Sequence, residues 1–110
     1  MIPQVTEYFL EGPSEFWVIG DESETVAGFM SMSGNKIEAL FMAPEYQRRG
    51  GGREFLKHAQ ARHPELTVDV NEQNLAAIAF YRAAGFAIEG RSEYDEQGRP
   101  YPLLHMRLAR

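Results

Sequence analysis

The sequence predicts an α/β (α+β) domain whose mixed, mostly antiparallel sheet is flanked by helices, and three observations carry that reading. Gly34-Asn35 separates two strand-like runs, with glycine where a two-residue hairpin of type II′ requires it. After Pro44 the period changes, and Phe55, Leu56 and Ala59 form one helical stripe. Leu66, Val68 and Val70 then alternate with polar residues, as a half-buried strand does, before a second helical stretch begins. Together they describe an antiparallel start followed by one right-handed crossover through a helix.

The elements follow in order. Ile2, Val5 and Phe9 fall at helical spacing after Pro3, which predicts a short helix over 3–11, ended by Gly12-Pro13. Phe16–Ile19 is a brief apolar run that reads as a strand. Asp21–Glu24 reads as a polar turn, Thr25–Ser33 as a strand, and Lys36–Met42 as the returning strand closed by Ala43-Pro44. Glycines 50–52 open a helix that His63-Pro64 stops. Asn71 or Asn74 can cap the next helix, which runs to about Ala84 and ends at Gly85. Phe86–Ser92 and Pro102–Leu108 are the last two strands, joined by an acidic loop.

Composition narrows the function. A chain of 110 residues makes one domain, expected to span 1–110. Cysteine is absent, which removes disulfides, thiolate zinc sites and cysteine nucleophiles. His58, His63 and His105 show no ligand spacing, so no metal site is expected. The net charge of −5 argues against nucleic acid as a partner. No apolar run approaches the ~20 residues of a membrane span, and no leader opens the chain. A cytoplasmic protein is expected, with no membrane partner.

Against this acidic background, Arg48, Arg49 and Arg53 crowd around Gly50, Gly51 and Gly52. Glycines let the backbone approach a ligand and aim N–H groups at it. The helix that follows turns its positive end to the same point. A glycine triplet alone also fits a solvated loop, but its place at a strand-to-helix junction favours a pyrophosphate seat. A triphosphatase loop is excluded because no Gly-Lys-Ser/Thr follows, and no G-x-G-x-x-G is present.

Gln47-x-x-Gly50-x-Gly52, after a strand ending near Met42-x-Pro44, resembles the acyl-CoA-binding motif of the GNAT superfamily of N-acetyltransferases. Asn74-x-x-Ala77-x-x-Phe80-Tyr81-x-x-x-Gly85-Phe86 is similar to that superfamily's second signature. The runs around Val70–Asn74, Gly90–Glu93 and Tyr101–Leu104 look like the bacterial YjaB-type acetyltransferases. The resemblance covers nearly all of the chain after about residue 14. It implies a GNAT-like fold, here with the usual N-terminal strand and helix truncated, and acetyl-CoA as the donor. The cofactor residues it implies are Phe41, Met42, Gln47, Arg48, Arg49, Gly50, Gly51, Gly52, Arg53, Asn74 and Ala77.

The chemistry needs a neutral amine, a polarised thioester carbonyl and a route out for a thiolate. Asn74, Ala77 and Tyr81 share one helix face at i, i+3 and i+7. The resemblance implies that Asn74 binds the pantetheine arm, that small Ala77 lets it pass, and that Tyr81 protonates the departing sulfur. A core aromatic and a helix cap are the plainer roles for the same two side chains. Backbone N–H groups around Phe41 and Met42 would polarise the carbonyl. Glu38, opposite Ile37 and Ala39 by strand alternation, is the first candidate for the base. His105 has a suitable intrinsic pKa and joins Tyr101 as a candidate on the substrate side. Trp17, Phe29, Met30 and Met32 could shape an acceptor pocket, although apolar strand residues usually build core.

The expected function is transfer of an acetyl group from acetyl-CoA to a primary amine of a small molecule or peptide. The alternatives are a non-catalytic acyl-CoA-binding domain and a nucleotide-phosphate module using the same loop. A homodimer is expected, because Phe16-Trp17-Val18-Ile19 would otherwise lie at a bare sheet edge.

Overall fold

A computed structural model describes residues 4–9, 14–20, 26–43 and 51–109. They fall into two compact units, Met1–His63 and Pro64–Arg110. The expected turn at Asp21–Glu24, the expected strand end at Pro44 and the expected cradle residues 47–50 lie outside the described residues.

In the first unit, strands β1 (Gln4–Phe9), β2 (Ser14–Gly20), β3 (Val26–Ser33) and β4 (Lys36–Met42) form an antiparallel meander. The predicted helix over 3–11 is therefore corrected to a strand. Val5, Thr6, Tyr8 and Phe9 are β-branched or aromatic, and β1 pairs along its whole length with β2, Gln4 opposite Gly20 and Phe9 opposite Glu15. The helical spacing of Ile2, Val5 and Phe9 was a coincidence of a short window. A second correction follows: β2 is no edge strand, since β1 takes one side and β3 the other.

The hairpin at Gly34-Asn35 is present, with Ser33 opposite Lys36 and Gly34 at φ +59°. Helix α1 (Gly51–Arg62) packs on β2, β3 and β4. Its stripe Phe55, Leu56 and Ala59 is buried, as are Met30, Met32 and Ile37, so Met30 and Met32 serve the core.

In the second unit, β5 (Glu65–Asn71), β6 (Ala87–Ser92) and β7 (Leu103–Ala109) make an antiparallel ladder with β7 in the middle. Helix α2 (Leu75–Ala83) links β5 to β6. Leu66, Val68, Val70, Met106 and Leu108 bury one face of this ladder. A Cβ on Gly85, just past α2, would meet Leu108 Cδ1 at 3.1 Å, so the end of α2 lies on that same face. Thr67, Asp69, His105 and Arg107 alternate with the buried set and occupy the other face.

Candidate active site

Each unit contributes its own group of candidate residues. In the first, β4 carries Glu38, Phe41 and Met42. Ser31 pairs with Ala39 and Met32 with Ile37, so Glu38 is an extra, unpaired residue in β4, a β-bulge. Ile37 is buried and Glu38 exposed as alternation predicts, but Ala39 is exposed as well. The bulge breaks the alternation that had placed Ala39 with Ile37. Bulges commonly re-aim a side chain next to a functional site.

Phe41 lies opposite Phe29, its ring 5.6 Å away and half exposed. Met42 lies opposite Gly28, and the two strands approach closely there. A Cβ on Gly28 would run into the Phe41 carbonyl oxygen and Met42 Sδ. The backbone at Phe41-Met42 is thus held by a crossing that only glycine permits. Gln47, Arg48, Arg49 and Gly50 lie outside the described residues. Gly51 and Gly52 form the first turn of α1, with Arg53 exposed in the same turn. The first N–H groups of a helix have no intrahelical acceptor, so glycines there offer unhindered donors to a phosphate.

In the second unit the segment Asn71–Asn74 fixes how α2 starts. Asn71 Oδ1 accepts from Gln73 N–H at 2.8 Å, and Asn74 N–H donates to the Asn71 carbonyl at 2.9 Å. Asn74, not Asn71, is the N-cap, its Oδ1 accepting from Ala77 N–H at 3.1 Å. That bond occupies the oxygen and leaves the amide NH2 as a donor. Exposure then falls along the predicted face, from exposed Asn74 through half-buried Ala77 to buried Tyr81.

Tyr81 packs edge-on against Phe80 and Phe86, with ring centroids 5.2 and 5.1 Å away. Among the described residues its hydroxyl has no hydrogen-bond partner. Burial pushes the phenol up to about 12, so at neutral pH it keeps its proton.

His105 stands in a chain of three side chains. Its Nδ1 is 2.6 Å from Asp69 Oδ1, and its Nε2 is 2.6 Å from Ser92 Oγ. Sequence reasoning missed Asp69 and Ser92. Alternation could place Asp69 on the polar face of β5, but only the β5–β7 register brings it opposite His105. Tyr101 is exposed near the end of the β6–β7 loop, with the Arg99 guanidinium 5.7 Å from its ring centroid. Among the described residues no cluster of His, Cys, Asp and Glu could hold a metal.

The family model for the acetyltransferase (GNAT) domain matches residues 2–109, and the chain belongs to this family. It is 44% identical over 102 residues to the peptidyl-lysine N-acetyltransferase YjaB of Escherichia coli K12, covering 93% of this chain. The solution structure of apo YjaB from Escherichia coli superposes with a TM-score of 0.78 at 46% identity, over 84% of this chain. A Bacillus anthracis protein described as a streptothricin acetyltransferase, in complex with acetyl coenzyme A, shares the fold at a TM-score of 0.80 and 19% identity; 94% of this chain and 66% of that one are covered. The chain spans 68% of the YjaB sequence and 63% of the chain in its solution structure, about two thirds of their length.

Proposed function

We propose that residues 1–110 form a single acyl-CoA N-acyltransferase domain that transfers an acetyl group from acetyl-CoA to a primary amine. The observation that carries the reading is the family match across residues 2–109, which takes in both glycine-opened α1 and the α2 helix that holds Tyr81. The residues present fit the donor. Gly51, Gly52 and Arg53, with Gln47 to Gly50 before them, would seat the pyrophosphate. The Asn74 amide and the small Ala77 would line the pantetheine arm. The donor supplies an acyl group on a sulfur leaving group.

Backbone N–H groups near Phe41 and Met42 would polarise the acyl carbonyl, held in place by the Gly28 crossing. Tyr81 would hold its proton at Oη toward the departing sulfur. With its pKa near 12, full transfer to a thiolate near 8.5 is uphill by about 5 kcal/mol. The phenol therefore acts chiefly as a hydrogen-bond donor to that sulfur. Glu38, exposed at the bulge, and His105 would be the basic groups for the acceptor, and Tyr101 would contact it. YjaB is named a peptidyl-lysine acetyltransferase, and a lysine amine of a peptide is the first acceptor to try.

A homodimer and a cytoplasmic location belong to the same reading. Support for the dimer passes from β2 to β1, which ends its ladder and pairs with β2 alone among the described strands. Light scattering against the 12.5 kDa of one chain checks it. For the location, no helix of the described residues is long and apolar enough to cross a membrane.

Calorimetry with acetyl-CoA, followed by turnover on peptide-lysine and small-amine panels, tests the function. Acetyl-CoA should bind, and Gly50→Val should abolish binding while the circular dichroism spectrum stays native. Unchanged affinity in a folded Gly50→Val protein would remove the glycine cradle from the donor site.

A further inference from the structure

We propose that Ser92, His105 and Asp69 form a proton relay that takes the proton of the acceptor amine, with Ser92 touching the amine and His105 storing the charge. This rests on the acetyl-transfer reading. The three residues come from three strands of one ladder: Asp69 on β5, opposite His105 on β7, and Ser92 at the end of β6. The two bonds fix the tautomer. A carboxylate only accepts, so Nδ1 carries hydrogen and donates to Asp69 Oδ1. Nε2 is then the bare nitrogen and accepts from the Ser92 hydroxyl. Hydroxyl, imidazole and carboxylate thus stand in the order that lets a base accept a proton and a carboxylate stabilise the cation that results.

Among the described residues of the ladder, the charged neighbours of His105 are engaged with one another. On β7, Arg107 is tied to Glu65 of β5 at 2.6 Å and to Glu89 of β6 at 2.8 Å. Arg91 of β6 is tied to Glu72. Arg107 thus bridges two carboxylates and Arg91 holds one, while the end of α2 lies on the other face. The charge that meets the imidazole directly is that of Asp69. The His105 side chain keeps a third of its surface exposed, so a proton it has taken can leave to water.

A lysine amine near pKa 10.4 is neutral in only roughly one molecule in a few thousand at pH 7. An acceptor for its proton is therefore needed. Because Ser92 occupies Nε2, the proton travels in two linked hops. The amine gives a proton to Ser92 Oγ as Ser92 gives its own to Nε2. The neutral nitrogen forms its bond to the acyl carbon, the carbon–sulfur bond breaks, the surplus N–H proton leaves to water as the thiolate takes one up, and the imidazolium returns the first proton to water. Ser92 ends as it began, unacylated.

The experiment is the pH profile of kcat/KM for a lysine peptide, in the wild type, Asp69→Asn, Ser92→Ala and His105→Gln, with acetyl-CoA affinity measured for each. The wild type should show an acid limb, losing activity as pH falls. His105→Gln should remove that limb and cost about 100-fold. Asp69→Asn should move the limb to lower pH and cost about 10-fold, because the imidazolium loses its partner. Ser92→Ala should cost about 10-fold, and all three should bind acetyl-CoA as the wild type does. Imidazole nitrogen shifts in the apo protein should show hydrogen on Nδ1. A wild-type limb in His105→Gln, hydrogen on Nε2, full activity in Ser92→Ala, or an acetyl adduct on Ser92 by mass spectrometry would each overturn the relay alone. A wild type that neither binds acetyl-CoA nor transfers from it overturns the acetyl-transfer reading, and the relay with it.

Discussion

The backbone N–H of Phe86 donates to the carbonyl oxygen of Tyr81 at 2.9 Å, and the two rings meet edge-on with centroids 5.1 Å apart. Gly85, between helix and strand, sits at φ +105° and donates to the Arg82 carbonyl at 3.0 Å. This pair of bonds and the apolar contact across it form a Schellman motif. The glycine and phenylalanine of the second sequence signature thus seat the helix end on which Tyr81 is carried. That explains physically why the three residues occur together.

Gly85→Ala should therefore weaken both stability and catalysis. An L side chain at that φ is strained, and its Cβ would press on Leu108 Cδ1 at 3.1 Å. A loss of about 1–3 kcal/mol in urea unfolding is expected. In the protein that remains folded, kcat should fall more than acetyl-CoA affinity, because the end of α2 that holds Tyr81 moves. A stability equal to wild type would show that the motif does not hold the helix end.

Asn74 has one oxygen in a cap and one NH2 left for a ligand, and two substitutions separate these roles. Asn74→Ala removes the acceptor for Ala77 N–H and should cost about 1 kcal/mol, within a usual range of ~0.5–2. Asn74→Asp keeps an acceptor in the same place and should hold stability near wild type. It also loses the amide donor and adds a negative charge, so acetyl-CoA affinity should fall about tenfold or more in calorimetry. If Asn74→Asp binds acetyl-CoA as tightly as wild type, the residue is a cap and nothing more.

Much of this was legible in the sequence, and the failures have local causes. Helix α1, strands β3 to β7 and a cap at Asn71 or Asn74 follow from periodicity and capping chemistry, because each signal lies within its own element; the bond to Ala77 N–H selects Asn74. Strand β1 was misread because three apolar residues at helical spacing cannot outvote pairing with β2, which no local window contains. The edge assigned to β2 fell with it. At Glu38 alternation put the side chain on the face opposite Ile37, but the bulge that exposes Ala39 too is a property of the β3–β4 register. Asp69 and Ser92 stayed invisible for the same reason, since a side chain becomes a partner of His105 only through inter-strand register.

Tyr81→Phe isolates the phenol from the ring. The ring contacts with Phe80 and Phe86 persist, so the fold should be kept. A hydroxyl with no described partner contributes no hydrogen bond that the folded state would lose. Unfolding free energy at pH 7 should therefore change by less than about 1 kcal/mol. Acetyl-CoA affinity should barely move, and kcat should fall by about 10-fold or more if the phenol steadies the departing sulfur. Alkaline pH gives an independent sign. The phenol titrates near 10.0 when unfolded and near 12 when folded, so between those values the folded state holds more proton. The stability this contributes is complete below pH 10 and is lost as pH climbs toward 12, about 2–3 kcal/mol in all. Wild type should lose about half of that increment by pH 11 relative to Tyr81→Phe, as read by urea unfolding at pH 8, 10 and 11. Parallel stability curves for the two proteins would mean that Tyr81 ionises freely and is not the buried, proton-holding phenol that sulfur departure requires.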